Sequence, residues 1–139
     1  MNISNLPCTA VATLIFALSQ HVSMAQSQTV EQVAKTIAEN YNNNSVALND
    51  DMIASSVARA VGKNVIFEYS LRVRQNLPPP KVQEFADYTR REVVPQTCKV
   101  QGNRLGFDRG MYYSFIYKST YGELLTQFIV NKATCENYR

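Results

Sequence analysis

From Val65 to Val73 the chain alternates without a slip, with Val65, Phe67, Tyr69, Leu71 and Val73 on one side and Ile66, Glu68, Ser70 and Arg72 on the other. A sustained period of two puts every second side chain on the same face, so this segment predicts a strand with one face in a core. The preceding stretch, Met52 to Val61, is rich in small residues and loosely alternating, and Gly62-Lys63-Asn64 reads as the hairpin turn that joins the two. A second alternating run sets Met111, Tyr113, Phe115 and Tyr117 against Tyr112, Ser114, Ile116 and Lys118. Ser119-Thr120-Tyr121-Gly122 turns the chain into a last strand, Glu123 to Val130, in which Leu124, Thr126, Phe128 and Val130 oppose Leu125, Gln127 and Ile129.

Two segments follow the helical period instead. Val30, Val33, Ala34, Ile37, Ala38 and Tyr41 recur on one face of a helix that ends in the polar tract Asn42-Asn43-Asn44-Ser45. Pro78-Pro79-Pro80 opens a second helix, whose inward stripe is Val82, Phe85, Ala86, Thr89 and Val93. Asp87 and Arg91 are spaced to pair on its outer side, and Pro95 is expected to end or kink it just before Cys98. Gly102, Gly106 and Gly110 mark the next stretch as a loop. The order is α-β-β-α-β-β, and two hairpins that each follow a helix predict a two-layer α+β fold, an antiparallel four-stranded sheet with two helices on one face.

All 14 Lys and Arg and all 11 Asp and Glu lie after residue 30. Thr9 to Leu18 is an apolar run of a length that suits a secretory leader and is too short to span a bilayer, so no transmembrane anchor is expected. The small residues Ser23 and Ala25 place cleavage between Ala25 and Gln26, which divides the chain into a leader, 1–25, and a single domain, 26–139, exported to the periplasm or beyond. Cys8 precedes the apolar run and goes with the leader, so lipid anchoring is not expected. The domain keeps Cys98 and Cys135, and an even pair in a small exported domain predicts a disulfide.

The chemistry this composition permits is narrow. The only histidine, His21, is in the leader, which removes imidazole bases and His metal sites, and bridged thiols remove a cysteine nucleophile. No cofactor is implied. Carboxylates alone remain, Asp50-Asp51 among them, so a small carboxylate-dependent hydrolase is the minor alternative to a non-enzymatic protein. Residues 26–58 carry a net −3 and 59–139 a net +6, a mild basic bias with no phosphate loop or basic run that would argue for nucleic acid. Glu68 and Arg72 read as members of surface salt bridges. On the strand faces turned from the helices, Tyr112, Ile116, Ile66, Leu125 and Ile129 would form an apolar patch, the expected surface for a protein partner.

Laid out this way, the chain resembles a group of small exported bacterial proteins. The likeness rests on the strand pair Ile53-Ala54-Ser55-Ser56-Val57-Ala58-Arg59-Ala60-Val61-Gly62-Lys63-Asn64-Val65-Ile66-Phe67-Glu68-Tyr69 and on a helix leading to Cys98. The Gly-led hairpin Gly110-Met111-Tyr112-Tyr113-Ser114-Phe115-Ile116-Tyr117-Lys118-Ser119-Thr120-Tyr121-Gly122 and a closing Cys135 complete it. The group includes proteins described as quorum-sensing-regulated virulence factors and is similar to the GspS-beta pilotins, which escort the secretin of type II secretion. The resemblance implies a disulfide-bonded α+β domain without catalysis that meets an envelope or secretion component, with a secreted virulence-associated factor as the alternative.

Overall fold

The computed structural model describes residues 28–44 and 51–138; the leader, with Ala25 and Gln26, and Asp50 lie outside them. Helix α1, Val30–Asn44, begins with reciprocal bonds in which Gln32 N–H donates to Thr29 Oγ1 and Thr29 N–H to Gln32 Oε1, satisfying two backbone donors that a helix start leaves orphaned. Strands β1 (Ile53–Val61) and β2 (Asn64–Leu71) form the expected antiparallel hairpin. Gly62 adopts φ +58° at the first of its two turn positions, a backbone conformation that glycine reaches without a Cβ clash. Helices α2 (Pro79–Lys99) and α3 (Gln101–Asp108) follow, then β3 (Tyr112–Ser119), β4 (Leu124–Val130), the short helix α4 (Lys132–Cys135) and a 3-10 turn, Glu136–Tyr138.

The sheet order is β1-β2-β3-β4, and the sheet is mixed. Both hairpins are antiparallel, but β2 and β3 run parallel, which corrects the expectation of an antiparallel sheet. The physical reason is the connection: α2 carries the chain back to the end from which β2 started, so β3 must leave in β2's direction. Two more expectations change. Helix α2 runs through Pro95 to Lys99, because buried Thr97 and Cys98 anchor the turn beyond it, with Thr97 Oγ1 donating to Val93 O. The carbonyl that Pro95 leaves without its helical donor belongs to Arg91, whose residue is exposed to water. The glycine-bearing stretch folds as α3, held by Asn103 and Phe107, while Gly106 packs so closely on Met111 that a Cβ would collide with its methyl group.

Helices α1 and α2 lie on one face of the sheet, as expected, and α3 joins them there. Tyr41 of α1 meets Phe67 edge-on at 5.1 Å, Phe85 of α2 meets Tyr117 at 5.8 Å, and Phe107 of α3 meets Tyr113 at 5.1 Å. Beneath them the inward side chains stack across strands, Phe67 on Phe115 and Tyr69 on Tyr117. The Cys98–Cys135 disulfide forms as expected and ties the last turn of α2 to α4 across a sequence separation of 37.

Burial pushes the Tyr69 and Tyr117 hydroxyls well above the usual phenol range, and raises Tyr113 and Tyr41 as well. Folded, these phenols hold their protons; above about pH 10 only the unfolded chain ionises, so stability falls as pH rises past that value. Their surroundings differ. Tyr113 OH donates to Asn103 Oδ1 at 2.8 Å, and Asn103 Nδ2 donates to Thr97 O, whereas the buried Tyr117 hydroxyl has no partner among the described residues. Tyr113→Phe is therefore expected to lower stability by about 1–3 kcal/mol and Tyr117→Phe to leave it unchanged or raise it by about 1 kcal/mol, as read by urea denaturation. Replacing both cysteines by serine removes the cross-link from the unfolded chain and should cost about 4 kcal/mol in the same measurement.

Candidate partner-binding face

The helices leave the other face of the sheet without a covering element among the described residues. Register sets its rows: Arg59, Ile66, Ser114 and Ile129 lie side by side, as do Val57, Glu68, Ile116 and Gln127, and Val61, Asn64 and Tyr112 form the end row. Ile66, Ile116 and Tyr112 are half-buried by their neighbours, and Ile129 is 52% exposed. At the β4 side a groove of about 850 Å³ is lined by Ile66, Ile116 and Ile129 of this face together with Arg90 of α2 and Tyr138 of the C-terminal turn.

Three of the five expected patch residues thus share one groove. Tyr112 stands on the same face beside Asn64, outside the groove lining. Leu125 does not join them, which corrects its assignment to this face. The β3–β4 pairing slips between Tyr117 and Lys118, where Tyr117 pairs with Thr126 and Lys118 with Leu124. Leu125 is the extra residue of this bulge and belongs to the core, 7% exposed, while Leu124 is 51% exposed. A bulge reverses the facing of the residues before it, which strict alternation from Glu123 cannot register.

The polar groups on this face are paired as surface groups are. Glu68 sits between Lys118, at 3.3 Å, and Arg59, at 4.0 Å, from the two flanking strands. Arg72 points elsewhere and donates to the carbonyls of Asp51 and Ile53. Asp87 accepts from Gln83 rather than pairing with Arg91, which lies 3.9 Å from Glu92. No group of three or more His, Cys, Asp or Glu side chains is placed to hold a metal among the described residues.

Among the groove residues that escaped the sequence reading are Arg90 and Tyr138. Arg90 falls on the outward side of α2, yet its guanidinium lies over the Phe128 ring at 5.6 Å and forms a wall of the groove. Tyr138 reaches the groove because the disulfide holds Cys135 three positions earlier; the Cys135-to-Tyr138 spacing was the available signal.

No protein-family model matches the chain, and no curated protein matches it in sequence. Solved structures do share its fold. The type II secretion system pilotin AspS from Vibrio cholerae is 20% identical with a TM-score of 0.53, covering 76% of this chain and 92% of its own. The pilotin EpsS of the Vibrio vulnificus type 2 secretion system is 17% identical with a TM-score of 0.54, covering 77% and 92%. A candidate secreted protein from Pseudomonas aeruginosa is 14% identical with a TM-score of 0.57, covering 79% and 99%. At these identities the likeness is one of fold, and the fold is pilotin-like.

The bulge makes a direct test of facing possible. Leu125→Ala should destabilise by about 2–4 kcal/mol, the cost of a cavity in a packed core, while Ile129→Ala should cost less than about 1 kcal/mol in urea denaturation.

Proposed function

We propose that this chain is an exported, non-enzymatic interaction module that docks a protein partner through the groove around Ile116, as an accessory to the envelope or to a secretion system. The observation that carries the reading is the uncovered apolar lining of Ile66, Ile116 and Ile129 on a fold shared with two pilotins. Apolar surface of this kind, flanked by polar residues, suits burial against another protein. Export rests on the charge-free leader with cleavage between Ala25 and Gln26, and the Cys98–Cys135 disulfide is in keeping with an oxidising compartment. The non-enzymatic reading rests on a 26–139 segment without histidine whose thiols are bound to each other.

A second reading, a secreted factor acting outside the cell, draws on the likeness to the candidate secreted protein of Pseudomonas aeruginosa. Fractionation with non-reducing intact mass separates the two. A species starting at Gln26, two hydrogens lighter than the dithiol and held in the envelope, is the expected result; the same species in the medium favours the secreted factor, and a full-length or lipid-bearing mass overturns the leader assignment.

Placing a carboxylate in the groove tests the docking face. Ile116→Asp is expected to weaken crosslinked capture of an envelope partner by about tenfold or more, the loss typical of a central interface residue, while the domain stays folded with its unfolding midpoint lowered by the new carboxylate beside Glu68. Unchanged capture would show that the partner binds elsewhere.

A further inference from the structure

Among the described residues strand β1 pairs with β2 alone, so its far side is a sheet edge. An edge presents backbone donors and acceptors that a strand from another chain can complete. Which rungs are open follows from the hairpin. Val61 and Asn64 flank the two-residue turn and bond to each other, so by antiparallel alternation Arg59 and Val57 also address β2, and Ala60, Ala58 and Ser56 turn their backbone groups outward.

The middle open rung is already taken. Asn42 Nδ2 donates to Ala58 O at 2.8 Å, and Ala58 N–H donates to Asn42 Oδ1 at 2.7 Å. A carboxamide that gives one donor and one acceptor to the same residue reproduces the two bonds that a facing strand residue would exchange with it. Asn42 belongs to the last turn of α1, and α1 and β1 together line a shallow groove of about 420 Å³ along this edge, with Ala58, Ala60 and Gly62 offering little side-chain bulk. Val57 and Val61, 50% and 61% exposed, add apolar surface to the same strand.

We propose that the β1 edge is a strand-accepting surface that Asn42 holds closed, and that its occupant, once the carboxamide is removed, is the β1 strand of a second copy of this chain. The sequence of β1 is self-complementary about Ala58. In an antiparallel pair centred there, Ala58 faces its counterpart, Ser56 faces Ala60 and Val57 faces Arg59, so no like charges meet and the contact closes as a two-fold dimer. Centring on Arg59 instead would set two guanidiniums against each other, which selects the register.

The test is Asn42→Ala in the full mature chain, followed by sedimentation and by hydrogen exchange at the Ala58 amide. Wild type is expected to protect this amide without self-association through β1. In dilute solution the variant should exchange it about tenfold faster or more, because its acceptor is gone. At high concentration the variant should dimerise and regain the protection. Adding Ala60→Pro should return it to monomer, since proline removes an outward donor and is tolerated at an edge. Should Asn42→Ala fail to fold, Asn42→Ser, whose hydroxyl is too short to make both bonds to Ala58, takes its place, with the same faster exchange in dilute solution and the same dimerisation at high concentration expected. A folded variant whose Ala58 amide exchanges like wild type, or which stays monomeric at high concentration, overturns the proposal, as does association that Ala60→Pro leaves intact.

Discussion

Phe67 stacks on Phe115, and Tyr69 on Tyr117, because β2 and β3 run parallel in a register that sets these residues directly opposite one another. That central seam carries the rest of the fold. The aromatic layer it creates gives α1, α2 and α3 one continuous surface to cover, and each contributes a ring or hydroxyl-bearing ring edge-on to it. The same register, seen from the other side, sets Ile66 beside Ser114 and Glu68 beside Ile116, so the open face is fixed by the pairing that fixes the core. A slip of one residue would exchange the two faces, and the burial of four aromatic side chains makes that slip prohibitively costly.

The disulfide acts on the other side of the seam. Cys98 lies beyond Pro95, in the part of α2 that local propensity would release, and Cys135 lies just after β4. Joining them keeps the final turns of α2 against the end of the sheet and brings the C-terminal turn to the lining of the groove. The groove wall made by Arg90 and Tyr138 depends on that arrangement. Constraint in the core and access at the surface therefore share a cause, and a protein of this size, with limited apolar area to bury, gains from the cross-link.

Much of the candidate face was legible before the fold was known. Ile66, Ile116 and Ile129 each alternate with buried neighbours, and period two alone assigns them to the side away from the helices. Leu125 was misassigned because a bulge adds a residue to one strand only, and nothing in Glu123 to Val130 signals it locally. The α3 segment was missed because glycine lowers helix propensity, while the contacts that form it, Asn103 with Tyr113 and Gly106 against Met111, come from elsewhere in the chain.

By itself the sequence determined the strands, the two main helices, their common face and the partners of the disulfide, because periodicity and cysteine count are local or compositional properties. The direction of β3 was not read from it: the sequence reading expected an antiparallel sheet, and the parallel pairing follows from the returning course of α2 and from β3 lying beside β2. Only the tertiary structure decided that α2 passes Pro95, that Leu125 turns inward, and that Arg90 and Tyr138 meet at one groove. Those outcomes rest on contacts between residues far apart in the chain, whose energies exceed the local preferences they override.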